Sequence, residues 1–354
     1  MLGIDRKAAR YTWTAAAVLL LLWLIYLVRS TLFIFVLAVL FAYLLSPLVN
    51  LLDRALPSRT RTPALALAYI IFIGVVAFVT TQIGATVAVQ AKALQQDLPN
   101  RIAQFEEPNP KLPDAVNNFK REMVQRIRSR ISDGGGELVT TVAHAGVKFI
   151  SVAGDIVHVV IIPILAFFFL KEGRTIRNNL LAMIEDGPRR ELLDDVLADV
   201  HLLLAHYMRA LVVLSVATFI AYSIFFALAG VPYGVLMAAV AAVLEFIPLI
   251  GPLSSGVVIV LVSLMSHSHP LGVLIFLLVY RLFQDYVLQP HLMGQGVEVH
   301  PLLVIFGVFA GGEVAGIAGT FLSVPIIALV RILFLRIRKA RMTAHLTPEP
   351  TLRI

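Results

Sequence analysis

Two apolar segments, whose glycine and proline breaks lie between about Val231 and Pro325, constrain this chain more than any other feature. The first reads GVLMAAVAAVLEFIPLIGPLSSGVVIVLV and the second LLVIFGVFAGGEVAGIAGTFLSVPIIALV. Each places one carboxylate at its break. Glu245 stands three residues before Pro248 and close to Gly251, while Glu313 follows Gly311 and Gly312 and precedes Gly316. A helix broken in hydrocarbon leaves carbonyls and amides that lipid cannot satisfy, so such breaks persist only where protein or water reaches them. Two of them in one chain point to the substrate site of a transporter.

Charge sharpens this reading. Between Arg209 and Arg331 the only Lys or Arg is Arg281, against Glu245, Asp285, Glu298 and Glu313, in a chain whose formal net charge is +7. The rest of the composition agrees with a membrane setting: 59% of residues are hydrophobic and 14% charged, where a soluble domain carries roughly 25% charged residues. The expected fold class is therefore all-α, a polytopic membrane protein in contact with membrane lipid. Cysteine is absent, which excludes disulfides and thiolate metal sites. Arg6, Lys7 and Arg10 before an apolar run to Val28 have the polarity of a signal peptide. No small-residue cleavage site follows, so an uncleaved first span is expected. The basic residues gather in loops and tails without interleaved aromatics, which fits membrane orientation and no nucleic acid.

A hydrocarbon core takes about 20 apolar residues to cross. On that measure spans fall near 13–28, 31–52, 63–90, 146–170 and 209–229, followed by the broken segment 232–266, the run 271–288 and the segment 302–335. Each broken segment would be about 50 Å long if straight, against a core of ~30 Å. It must break, tilt, protrude or fold back. Basic residues Arg54, Arg59, Arg61, Lys171, Arg174, Arg177, Arg336, Arg338, Lys339 and Arg341 mark one side as cytoplasmic and place both termini there. Two arrangements satisfy that count: eight crossings, which is the one expected, or two re-entrant hairpins opening to opposite faces. The chain then divides into N-terminal spans (1–90), an extracytoplasmic amphipathic insertion (91–145), the fourth span with a cytoplasmic helix (146–208), a C-terminal transport module (209–341) and a tail (342–354).

The insertion shows Val116, Phe119, Met123, Ile127 and Ile131 on one helical face. Such a face can lie on the bilayer, pack on a neighbouring subunit of a homo-oligomer, cover a pore mouth, or dock on its own spans. Residues 188–208 repeat the pattern, with Leu193, Leu197, Val200, Leu204 and Tyr207 as a stripe and Asp194, Asp195 and Asp199 turned away. Such a helix leading into a span can act as a gate coupling; the plain reading is an interfacial helix. No internal sequence repeat is visible.

Arg281 and Asp285 lie four apart in YRLFQDYVLQP and share a helical face with Gln284 and Gln289. Charged side chains at the centre of a membrane helix cost roughly 2.5–3.5 kcal/mol each, so a paired stripe turned inward is expected. The structural alternative is an ion pair that only fixes helix packing. Glu245 and Glu313 sit beside backbone freed by the breaks, where a cation or a hydroxylated solute could be held; the alternative is a carboxyl clasping nearby amides. Asp155 with His158, and His291 and His300 beside the last loop, could form a proton relay, although membrane histidines more often bond between helices. Neither HExxH nor HxxxH occurs, so no metal site is expected. GxxxxGK[ST] and GxSxG are absent as well, which leaves an ATP-independent protein that is not an enzyme and needs no cofactor.

The stretches YLLSPLVNLLDR, IIPILAFFFLKEGR, VPYGVLMAAVAAVLEFIPLIGP and QDYVLQPHLMGQGVEVHPLLVIFGVFAGGEVAGIAGTFLSVP resemble the autoinducer-2 exporter family of bacterial permeases. The resemblance covers most of the chain from Tyr43 onward, with a gap over 91–145. It implies a multi-pass transport protein of the bacterial inner membrane, with members similar to exporters of small signalling molecules and others to sodium/proton antiporters. Pro248, Gly251, Asp285, Pro290, Gly294, Pro301, Gly316, Gly319 and Pro325 occupy motif positions, and Glu172-Gly173 departs from the expected Asp-Gly. Glu245 falls where polar residues vary, which suits differences in substrate.

The leading function is an ATP-independent exporter of a small polar solute, through a cavity between the broken segments and the Arg281/Asp285 stripe. Glu245, Pro248, Gly251, Arg281, Asp285, Gln289, Gly312, Glu313 and Gly316 are the candidate pathway residues. Cation/proton antiport, with Na⁺ or H⁺ as the coupling ion, is the alternative within transport. A non-transporting scaffold acting on a partner is the alternative outside it.

Overall fold

The computed structural model describes residues 6–56, 60–107, scattered positions between 114 and 125, then 156–266, 268–293 and 300–346. The described elements are helical throughout: α1 (Arg6–Leu27), α2 (Arg29–Ala55), α3 (Thr62–Val79), a π-helical turn (Thr80–Gly84) and α4 (Ala85–Glu106) form the N-terminal part. They are followed by α5 (Ile156–Ala182), α6 (Pro188–Leu228), α7 (Gly234–Leu244), α8 (Ile250–Met265), α9 (Pro270–Phe283), a second π-helical turn (Gln284–Leu288), α10 (Gln289–Met293) and α11 (Pro301–Leu346). Six described helical stretches have the length and composition to cross a membrane, with α3–α4, α9–α10 and α11 each counted as one, and α7 and α8 are shorter apolar helices. The chain is thus an all-α polytopic membrane protein. Its exposed side chains bear this out physically: Leu20, Trp23, Ile70, Phe78, Leu278 and Phe306 are each more than half exposed, which is the surface a bilayer covers.

The long first segment does not cross. At about 1.5 Å per residue, the 11 residues of α7 and the 16 of α8 each fall short of a ~30 Å core, and they fold back on one another. Both open ends sit against α4. Tyr233, just before α7, donates to Asp97, and the Leu236 amide donates to Gln90 Oε1 at 2.8 Å. Met265, the last residue of α8, is buried with Ile102 of α4 and with Val124. Gln90 thereby satisfies one of the free amides at the start of α7 from a neighbouring helix.

The second segment folds back as well. Within α11 the helical backbone fails at Ala315 (φ −141°) and Gly316 (φ 60°, ψ −142°), a combination open to glycine because it has no Cβ. The two arms then pack tightly: a Cβ on Gly311 would strike the Gly319 backbone, and one on Gly307 would meet Ile327 and Ser323. Small residues at a helix–helix contact let backbones approach in this way.

The hairpins open to opposite faces. The first opens toward α4 and the Leu228 end of α6, whereas the second returns toward the Pro188 end of α6, where Arg336 reaches Asp195 and Asp199. Each hairpin follows a long helix, α6 before the first and α9–α10 before the second. Two inverted units of helix plus hairpin result, an order that the sequence does not reveal. Eight crossings, the expected arrangement, is therefore corrected: both broken segments re-enter. The physical reason is that the breaks turn the chain through nearly a full reversal instead of kinking it.

The expected interfacial helix at 188–208 is instead the first half of the continuous 41-residue α6. Its stripe is packed on neighbours, with Leu204 and Tyr207 in a cluster that includes Leu40, Leu211 and Leu322. The stripe expected in the insertion (Val116, Phe119, Met123, Ile127, Ile131) lies outside the described residues, as do residues 146–155 of the expected fourth span. The buried Val124 beside Met265 and Ile102 shows this part of the insertion docking on its own chain.

A labelling experiment checks the hairpins, because the chain contains no cysteine. His269→Cys, between the first hairpin and α9, is expected to react with an impermeant maleimide in intact cells. His300→Cys, between α10 and the second hairpin, is expected to react only after permeabilisation. The reverse pattern is what eight crossings would produce.

Candidate functional site

At the tip of the first hairpin the chain makes a strained turn that presents Glu245 to two helices. Leu249 has φ 65° and ψ −56°, and the Ile250 amide donates to the Pro248 carbonyl at 2.7 Å. That is the rare γ-turn of positive φ, and a non-glycine residue held there costs on the order of 1–3 kcal/mol. Proline at 248 contributes a preset φ and a carbonyl, and its missing N–H is no loss at a turn. Gly251 then passes so close to the Leu244 carbonyl that no Cβ fits.

Glu245 is 7% exposed, and every group directed at it is a donor. Gln284 Nε2 donates to Oε1, Thr218 Oγ1 donates to Oε2 at 3.4 Å, and Arg281 Nη1 stands 4.0 Å from Oε1. Arg281 Nε in turn donates to Asp285 Oδ2 at 2.9 Å, and Gln289 Nε2 donates to Asp285 Oδ1 at 3.0 Å. The stripe expected from the four-residue spacing is thus one connected hydrogen-bonded chain, and Glu245 joins it from another element. Arg281 and Asp285 are each more than a third exposed at the side chain, so this end of the network is open while Glu245 is enclosed. Two carboxylates share one guanidinium, leaving a formal charge of −1.

Gln284 and Asp285 lie on the second π-helical turn, Gln284–Leu288, with Arg281 just before it and Gln289 just after it. An extra residue in the turn shifts the helical register, a device often found at functional sites. Here Gln284 faces Glu245 while Asp285 and Gln289 turn to the half-exposed side. Packing behind the cluster is aromatic: the Tyr222 ring meets those of Tyr280, Phe276 and Phe226 at 5.2, 5.4 and 5.6 Å. Tyr280 also places its hydroxyl 3.1 Å from Thr218 Oγ1, and Ser215 Oγ donates to the Ala242 carbonyl at 2.7 Å. Hydroxyls on α6 therefore tie the arm before the break as well as the carboxylate.

Depth follows from the chain. Thr218 is ten residues from the Leu228 end of α6, and Gln284 fourteen from Pro270, or about 15 and 21 Å along the helices. These values put the network near the middle of a ~30 Å core.

The second hairpin supplies a different surface. Glu313 is exposed at its tip, Gly316 is exposed, and Gly312 is half-buried beside Thr320. The tip of the first hairpin meets the outgoing arm of the second through Phe246 and Phe321, with ring centroids 6.2 Å apart. The structure thus brings Glu245, Pro248, Gly251, Arg281, Asp285 and Gln289 into one neighbourhood, and it places Gly312, Glu313 and Gly316 at the tip of the second hairpin. No described hydrogen bond or ion pair joins Glu313 to the network. His291 and His300 are exposed, each with a local backbone partner, and are not placed in the network. Asp155 lies outside the described residues.

Thr218 and Gln284 hold Glu245 more directly than any of the candidate pathway residues read from the sequence. Gln284 carried a signal, sharing a face with Gln289. Thr218 carried a weak one, since Ser215 and Thr218 stand three apart in an otherwise apolar run. Apart from the network, an apolar recess of about 340 Å³ is lined by Ala66, Tyr69, Pro163, Ile164 and Phe167, on α3 and α5, which contribute none of these residues. Among the described residues no cluster of metal-binding side chains occurs.

Comparison with known proteins gives this geometry a setting. The family described as AI-2E family transporter matches residues 15–339. YueF of Bacillus subtilis, under a provisional name as a transport protein, is 26% identical over 302 residues, covering 83% of this chain and 81% of the relative. A provisionally named transport protein of Mycobacterium tuberculosis is 26% identical over 340 residues, covering 91% and 88%. The permease PerM of Escherichia coli, also provisionally named, is 25% identical over 308 residues, covering 83% and 84%.

Proposed function

The chain belongs to the AI-2E family of transporters, a membrane transport protein and not an enzyme, and from that premise we propose that it moves a small polar solute without ATP, past the junction of the two hairpins. The observation that carries this reading is the mid-depth network in which Glu245, at the tip of one re-entrant hairpin, joins Arg281, Asp285 and Gln289 on a neighbouring helix. Such a network is costly in lipid unless protein or water lines it, and its Asp285 end is accessible. An exposed carboxylate at the tip of the second hairpin, Glu313, favours an aqueous route for the same reason. Alternating donors and acceptors along Arg281, Asp285 and Gln289 suit a solute bearing hydroxyls or paired charges.

Both termini in the cytoplasm of a bacterial inner membrane fit Arg189 and Arg190 at the Pro188 end of α6 and Arg336, Arg338, Lys339 and Arg341 at the end of α11; export is the direction proposed. Cation/proton antiport is the second reading, favoured by the formal charge of −1, which a proton or Na⁺ would neutralise.

Flux into proteoliposomes of the full chain, without nucleotide and over a panel of polar metabolites, Na⁺ and H⁺, tests the proposal. Saturable flux of at least one polar solute is expected. Correctly inserted protein that moves none of them would overturn it.

A further inference from the structure

Among the described elements the second hairpin has few attachments besides its own arms. Its main neighbour is α6, with Leu322 in a cluster with Leu40, Tyr207, Met208 and Leu211. At its open end a single side chain makes three short contacts to that same helix. Arg336 Nε and Nη2 donate to the two oxygens of Asp199 at 2.6 and 2.9 Å, and Nη1 donates to Asp195 Oδ2 at 2.6 Å. The Arg336 side chain is 25% exposed and that of Asp199 32%, so water is only partly excluded. Next to it Arg177 Nη2 donates to Asp194 Oδ1 at 2.6 Å, which anchors the same stretch of α6 to α5. The acids along this face of α6 are thus engaged by two separate guanidinium groups from two different elements.

A lone exposed ion pair contributes little. One guanidinium held by two oxygens of one carboxylate and one of another has fixed geometry and belongs to the stronger class of charge-assisted bonds. Arg336 lies twenty residues beyond Gly316 on the outgoing arm, so the clasp acts on the hairpin as a lever acts on its end. We propose that Arg336, Asp195 and Asp199 form a latch that holds the second hairpin on α6 and keeps its outgoing arm against the first hairpin at Phe246 and Phe321. Releasing the latch frees the arm to withdraw. The partial exposure of its groups makes the latch weaken with ionic strength on its own side of the membrane.

The inference rests on the transport reading for its purpose, but its test reads the position of the hairpin and not flux. Because the chain has no cysteine, Phe246→Cys with Phe321→Cys makes a unique pair, bridged in native membranes by a short bis-methanethiosulfonate reagent. Adding Asp195→Asn with Asp199→Asn is expected to slow bridging at least fivefold. Arg336→Lys, which keeps the charge but loses the fork, should slow it two- to threefold. Exchanging the charges, Arg336→Asp with Asp199→Arg, should restore at least half of the rate. An unchanged rate in either the Asn pair or Arg336→Lys overturns the latch, as does failure of the exchanged pair to recover. If bridging responds as expected in a protein that moves no solute, the latch stands and the transport reading falls. If solute moves but bridging does not respond, the transport reading stands and the latch falls.

Discussion

Gly251→Ala is expected to cut flux at least tenfold while the protein still inserts. The added Cβ would lie inside contact distance of the Leu244 carbonyl oxygen and carbon. This neighbour is backbone, which cannot rotate out of the way as the end of a side chain can. Overpacking in a tight interior costs typically 1–3 kcal/mol and occasionally more, and here strain concentrates on a turn already loaded at Leu249 (φ 65°). The cheapest relief is to open the turn by moving α7 and α8 apart. Opening displaces Glu245, which is only six residues away, from Gln284, Thr218 and Arg281. Insertion should survive because the apolar face of the hairpin is unchanged. Gly256→Ala is the control within the same helix, since a Cβ there meets nothing within 4 Å; it should leave flux within twofold of the parent. Equal flux in the two variants, measured per inserted protein, would mean that the close approach at Gly251 has no bearing on the site.

Glu245→Gln is expected to lower flux by about a hundredfold. The substitution preserves shape but removes the charge to which Gln284, Thr218 and Arg281 are directed. It also introduces an amide NH₂ facing donors. A hydrogen bond to a charged group is worth roughly 1.5–3 kcal/mol, and a buried donor left without an acceptor adds a cost of similar size. Arg281 is more than a third exposed and retains Asp285, so solvent screening reduces its share. The loss should fall mainly on the enclosed contacts with Gln284 and Thr218. A paired substitution separates site from scaffold: Glu245→Gln with Gln284→Glu returns one carboxylate and one amide to the same contact. If the pair serves only to hold the helices together, the double variant should recover both accumulation and flux. If the position of the charge matters to the solute, accumulation should recover and flux should not.

How much of this was legible in the sequence depends on the range of each interaction. Arg281 and Asp285 are four apart on one helix, so their contact follows from helical geometry alone. The break at Pro248–Gly251 was legible for the same local reason, whereas the second was read beside Gly311 and Gly312 and the helical backbone fails a few residues later, at Ala315 and Gly316. Whether a break kinks the chain or reverses it was not legible. That outcome rests on the φ of Leu249 and on the backbone contact between Gly311 and Gly319, both of which arise only when the arms have already packed. Charge could not decide it either, since His267-Ser268-His269 and residues 289–301 contain no Lys or Arg. Thr218 reads as an ordinary hydroxyl in an apolar span until Glu245, 27 residues on, is placed beside it. Asp195 and Asp199 read as a solvated face of an amphipathic helix because Arg336 is more than 130 residues away along the chain. Long-range partners of that kind leave no periodicity behind them.

The measurement that reaches the central claim most directly is the initial rate of solute flux per inserted protein in proteoliposomes, compared between the parent chain and Glu245→Gln under the same gradient and without nucleotide. A route past the junction of the two hairpins predicts saturable flux in the parent and a rate about a hundredfold lower in Glu245→Gln, with both proteins inserted to the same extent. Flux in Glu245→Gln within twofold of the parent would contradict it.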